Sequence, residues 1–107
     1  MLSHVDLLRV IDSIEDAWSP VDVAFVNDQV IRVALFLGEY HWHKHEEEDE
    51  LFFVYRGGIK IDLEDEVIEL NEGQLCVIPK GVMHKPKASE PSIVFLFEPV
   101  KLKSKGD

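Results

Sequence analysis

The sequence predicts an all-β fold, an antiparallel sandwich or barrel. Turn-forming residues punctuate most of the chain at the ~8–12-residue spacing of such folds. The runs between them are short and rich in β-branched and aromatic residues, and no long stretch keeps a helical period.

The elements follow in order. "SHVDLLRVIDSIEDAW" places apolar residues at Val5, Leu8, Val10, Ile11 and Ile14, a spacing that fits helix and strand alike, and Pro20 ends whatever forms there. "VDVAFV" and "QVIRVALFLG" flank Asn27-Asp28, a hairpin signal. The text from Glu50 onward breaks at Gly57-Gly58, Glu64-Asp65, Asn71-Glu72-Gly73 and Pro79-Lys80-Gly81. Within it "IKIDLEDEVIEL" alternates, setting Ile59, Ile61 and Leu63 on one face of a half-solvated hairpin. "QLCVIP" does not alternate, which suits a strand buried on both sides. "SIVFLFEPV" closes the set, and the basic "KLKSK" after it reads as a solvated tail.

No repeat or linker divides the chain, so one domain is expected over residues 1–107, ending in a tail at 100–107. The 46% hydrophobic content is enough for a packed core. Twenty-one acids against 11 Lys and Arg give a net charge of −10, which argues against nucleic acid or an anionic membrane as partner. The single cysteine, Cys76, cannot form an intramolecular disulfide, and its apolar neighbours predict a buried, inert thiol. No apolar run approaches the ~18 residues of a membrane helix. "MLSHVDLL" has no basic leader region, so a cytoplasmic protein is expected.

The densest chemistry lies in "HWHKHEEEDE", residues 41–50. His41, His43 and His45 alternate with Trp42 and Lys44, so in an extended segment the three imidazoles share one face. Two imidazoles at i and i+2 can converge on one metal ion, and a carboxylate of the next strand can add a third ligand. His84 in "PKGVMHKP" is the candidate for a fourth. Each feature alone is more often a solvated loop than a site; their combination in an all-β chain favours a site.

Two segments resemble the paired signatures of the cupin superfamily. His43-Lys44-His45, then "EEED", Glu50, "LFFVYR" and Gly57 match the first; Gly73, Pro79-Lys80-Gly81 and His84 match the second. The likeness runs from about Trp18 to Pro99, and in detail is similar to the small single-domain cupins called mannose-6-phosphate isomerase-like. It implies a double-stranded β-helix, or jelly-roll barrel, with His43, His45, Glu50 and His84 as metal ligands. In the alternative pair, His41 and His43, Glu48 sits at the carboxylate position, but the motif's glycine position falls on Tyr55. His41 then faces the same interior without coordinating, touching ligand or substrate, or sits satisfied at the barrel rim. Two departures stand out: four residues rather than five separate Gly38 from His43, and Ala88 replaces an asparagine common in the second motif.

Such a ligand set implies one divalent transition-metal ion per chain (Fe, Mn, Ni, Co, Cu or Zn), with two adjacent positions open if the ion is octahedral. Phe52 and Val54 share the inward parity of Glu50; Met83, Val77 and "VFLF" offer further apolar lining. The expected partner is a small organic acid, sugar-like or aromatic molecule, with highly anionic ligands disfavoured by the "EEED" loop. The function expected is a metal-dependent isomerase or dioxygenase, or else a metallo-cupin that binds or senses a small ligand without turnover. The resemblance also implies a homodimer paired through its sheets, for which segment 1–26 offers an added strand.

Overall fold

In the computed structural model, which describes residues 3–107, the chain forms the expected jelly-roll barrel. The strands are β1 (Val21–Val26), β2 (Gln29–Glu39), β3 (Glu50–Arg56), β4 (Gly58–Asp62), β5 (Val67–Asn71), β6 (Leu75–Ile78) and β7 (Lys85–Pro99). They pair in the order β1-β2-β7-β3-β6, with β4 joined to β5 and to β7, and each of these pairings is antiparallel. The β1–β2 hairpin turns at Asn27, whose φ of 54° is the left-handed conformation that asparagine tolerates.

Both hairpins fall where turn chemistry places them. The ambiguous opening resolves into a short helix, α1 (Leu7–Ser13), capped by the Asp6 carboxylate accepting from Leu8 N. Ile11 is buried on the outer face of the sheet, packed with Val33 and Ile93. The segment 1–26 therefore packs on its own sheet and pairs with its own β2, except Met1 and Leu2, which lie outside the described residues. No helix of the described residues is long and apolar enough to cross a membrane.

The long strand β7 holds the barrel together. Its first residues, Lys85–Lys87, pair with β4; its later residues lie between β2 and β3. Inward side chains of β2, β3 and β7 (Ala34, Phe36, Phe52, Val54, Val94, Leu96) make the core with Ile59, Ile61 and Ile78. A second apolar layer covers the outer face around Val33, Ile93 and Phe95.

Two readings change. "QLCVIP" is the edge strand β6, not a strand buried on both sides: Cys76 and Ile78 face the core while Leu75 and Val77 face outward. Burial pushes the half-buried Cys76 thiol up from its ordinary pKa. The C-terminal segment is not a solvated tail either. Leu102 is buried, and Arg32 donates hydrogen bonds to the carbonyls of Val100 (3.0 Å) and Leu102 (3.1 Å). Composition alone hid this, because the one apolar residue inside "KLKSK" is the one that anchors it.

Gly57 marks the corner between β3 and β4. Its φ is +90°, and a Cβ there would stand 2.4 Å from Ser92 Oγ. That hydroxyl lies 3.1 Å from Gly58 N and 3.0 Å from Gly58 O, so it cannot withdraw without breaking the corner. Gly57→Ala is expected to cost about 2 kcal/mol or more of unfolding free energy; an unchanged urea midpoint would contradict this account.

Candidate metal centre

The site is assembled where β2, β3 and β7 converge. After β2 ends at Glu39 the chain runs irregularly, and His43 forms a one-residue antiparallel bridge with His84. Two backbone bonds, His43 N to His84 O (3.0 Å) and His84 N to His43 O (2.9 Å), lock the two motifs together. His45 O accepts from Gly81 N, and Asp49 accepts from Lys80 N at 2.8 Å, fixing the Pro79-Lys80-Gly81 turn to the acidic loop. The spacing departure before His43 coincides with a β-bulge between Phe36 and Gly38, where Gly38 takes φ +83°. Ala88 packs in the apolar core.

The structure brings His43, His45, Glu50 and His84 together, all buried, with one ligand atom of each within 4.8 Å of the others. His43 Nδ1 lies 3.0 Å from His41 O and His84 Nδ1 lies 2.9 Å from Val82 O. A nitrogen facing a carbonyl at that distance must carry the proton, so in both rings Nε2 keeps its lone pair free. His84 Nε2, both His45 nitrogens and Glu50 Oε1 are buried without a hydrogen-bond partner. Glu50 Oε1 is 3.3 Å from His45 Nε2 and 3.6 Å from His84 Nε2. Those separations exceed the ~2.7–2.9 Å of a charge-assisted hydrogen bond. They fit donors sharing one ion, since ligands ~2.0–2.2 Å from a metal at right angles lie about 3 Å apart.

His41 is not in this cluster. It is exposed at the rim, and its Nε2 donates to Lys105 O at 2.9 Å. Of the pocket lining expected from sequence, Phe52 and Leu96 face the site; Val77 points outward and Val54 belongs to the core. The cavity beside His43 and Glu50 measures about 30 Å³ and is lined also by Trp18, Tyr40, Pro86 and Ser104. A larger groove of about 670 Å³, bounded by Lys60, Glu69, Lys87 and Glu90, lies elsewhere on the barrel and contains no histidine.

Sequence reasoning missed two residues behind the cluster. Glu98 is buried on β7, and the β3–β7 register places it beside Glu50. Arg32 on β2 bonds Glu98 at 2.5 Å and Asp22 at 2.7 Å. Each is the only charge within an apolar run, "VIRVALF" and "IVFLFEPV", and that was the available signal. Burial and the adjacent Glu50 push Glu98 up to about 9 against the pull of Arg32. Burial also disfavours the Glu50 anion, but the closeness of His45, His84 and Glu98 outweighs it and holds Glu50 well below the usual carboxylate range. The two shifts run in opposite directions, which favours one negative charge shared by the pair over two.

Burial, with the neighbouring imidazoles of His84 and His45, pushes His43 down from 6.5 to about 4. An unfolded chain therefore takes up this proton first as pH falls. The stability His43 contributes is complete above 6.5 and is lost as pH drops towards about 4. In chelator-treated protein the urea midpoint is expected to fall across that window. His43→Asn should flatten the fall, and an unchanged pH dependence in that variant would refute the assignment.

Comparison with known proteins agrees with this architecture. A family model described as a cupin domain matches residues 37–97, a span that includes all four clustered side chains. The uncharacterized protein YdbB of Bacillus subtilis (strain 168) is 36% identical over 84 residues, covering 78% of this chain and 74% of that protein. The crystal structure of a cupin-2 domain containing protein from Shewanella frigidimarina matches with a TM-score of 0.86 and 36% identity, covering 89% of this chain and 93% of its own. KdgF from Halomonas sp. matches with a TM-score of 0.68 and 31% identity, covering 77% and 80%. The chain belongs to the cupin family.

Proposed function

We propose that the chain is a metallo-cupin in which His43, His45, Glu50 and His84 hold one divalent transition-metal ion. The observation that carries this reading is the set of buried, unpartnered nitrogen and oxygen atoms converging within coordination range. Three imidazoles, one carboxylate and no thiolate form a donor set for Fe, Mn, Co, Ni, Cu or Zn. When bound, the ion supplies Lewis acidity or a site for oxygen chemistry at its open positions. The chain's own residues orient the ligands: the carbonyls of His41 and Val82 hold two imidazoles in register, and Glu98 backs Glu50. Trp18, Phe52 and Pro86 wall the cavity with apolar surface.

The activity this supports is that of an isomerase or dioxygenase on a small organic acid or sugar-like substrate. Holding a small ligand without turnover is the alternative. Protein purified without chelator is expected to carry about one transition-metal ion per chain. His43→Ala and His84→Ala should lose it, and Glu50→Gln should weaken retention far more than Glu48→Gln. Well-folded, metal-free protein would refute the reading. Product formation from small diols, keto acids or sugar phosphates identifies an enzyme; ligand-induced thermal stabilisation without product identifies a binder.

The outer face supports a homodimer. Two apolar rows cross four strands there: Ile31, Phe97, Leu51 and Val77, then Val33, Phe95, Phe53 and Leu75, of which Val33 is already covered by α1. Phe97, Val77 and Leu75 remain 39%, 51% and 55% exposed in the single chain. Rows of this kind are self-complementary about a two-fold axis, and a second copy laid across them also covers the β6 edge. Sedimentation is expected to give a dimer that Phe97→Glu converts to monomer; a monomeric unaltered chain at micromolar concentration would overturn the assignment.

A further inference from the structure

The cavity beside the clustered ligands is too small for the ligands proposed for it. About 30 Å³ holds roughly two water molecules, not an organic acid or a sugar. Part of its wall is supplied by the C-terminal segment, because Ser104 lines it with His43 and Glu50. That segment crosses the site in two differently held parts.

The first part is anchored. Val100 N donates to Asp28 O (2.9 Å), Leu102 is buried, and Arg32 holds the carbonyls of both residues. The second part, 103–107, lies over the ligands on exposed bonds. His41 Nε2 donates to Lys105 O at 2.9 Å, Glu46 N donates to the Asp107 carboxylate at 2.6 Å, and Asp107 N donates to Lys44 O at 3.0 Å. The contact is close: a Cβ on Gly106 would stand 2.7 Å from His43 Cβ and 3.0 Å from Lys44 O.

We propose that residues 103–107 form a strap that decides which ligands reach the centre, with His41 and Asp107 as its latches and the buried Leu102 as its hinge point. Strapped down, the site admits water-sized ligands. An organic ligand enters only when the strap lifts and Ser104 leaves the cavity wall. Exposed hydrogen bonds with little buried apolar area behind them open locally far more readily than the anchored part. The strap accounts for His41, which the metal cluster leaves unused: its Nε2 is the strap's donor. The inference rests on the metallo-cupin reading, since the probes below report on a bound ion.

The test uses the 107-residue chain loaded with cobalt(II), a chain ending at Leu102, and the double variant His41→Ala/Asp107→Ala, which keeps residues 103–107 if the shortened chain fails to fold. Two probes are followed through the cobalt absorption bands: azide, which is small, and acetohydroxamate, a bidentate organic ligand. Azide is expected to bind all three forms at similar rates. Acetohydroxamate should bind the unaltered chain slowly and both altered forms at least about tenfold faster, as loss of the latches shifts the local opening equilibrium. Equal acetohydroxamate rates with cobalt bound in every form would overturn the strap alone. A chain that takes up no cobalt would overturn the metallo-cupin reading and the strap with it.

Discussion

The guanidinium of Arg32 sets the terms for the rest of the structure. Two carboxylates, Glu50 and Glu98, stand beside one another inside the barrel, almost without solvent. An isolated buried charge costs several kcal/mol, and two like charges side by side cost more. Arg32 answers Glu98 at 2.5 Å, and the opposite shifts of the two carboxyls, Glu98 up and Glu50 down, relieve the repulsion between them. Its remaining donors reach Asp22 on β1 and the carbonyls of Val100 and Leu102 beyond β7. One side chain therefore joins the edge of the sheet, the carboxylate pair behind the site and the start of the strap. A lysine at this position has a single ammonium and cannot present donors in a planar fork to four separated acceptors.

The histidines follow from a different constraint. A barrel interior gives few hydrogen-bond partners, so each buried imidazole nitrogen must be bonded, coordinated or left at a cost of about 1–3 kcal/mol. The chain bonds the Nδ1 atoms of His43 and His84 to local carbonyls and leaves His84 Nε2, both His45 nitrogens and Glu50 Oε1 unpaired. An ion taken up by these atoms removes several such costs at once, which couples its binding to the stability of the fold. The ladder between His43 and His84 holds the two motifs in register in advance, so little order remains to be imposed when the ion binds.

What was legible in the sequence, and what was not, divides along the range of the interactions. The hairpins at Asn27-Asp28 and Glu64-Asp65 were legible because turn chemistry is local. The clustered side chains were legible through motif spacing, which records a register between distant segments. The partners of Arg32 and Glu98 were not, because strands far apart in sequence make that contact; the sequence shows only two lone charges in apolar runs. "QLCVIP" was misread because an unbroken apolar run looks the same whether a strand is covered by its own chain or left open on an outer face. The strap was misread because its lysines outnumber the single leucine that anchors it.

The strap also revises the electrostatics of the acidic loop. A run of four acids at residues 46–49 reads as a field that repels anions from the mouth. In the fold Glu46 pairs with Lys44 at 3.0 Å, Glu48 lies 3.8 Å from Lys101, and Asp49 accepts from Lys80 N. Exposed pairs of this kind add little stability, but they cancel charge where it would otherwise project over the cavity. Glu46 further gives its backbone N–H to Asp107. Most of the run is thus engaged in holding the second motif's turn and the C-terminal segment in place. Part of the anionic character expected at the mouth is therefore held within the fold, with Lys44 against Glu46 and Lys101 near Glu48.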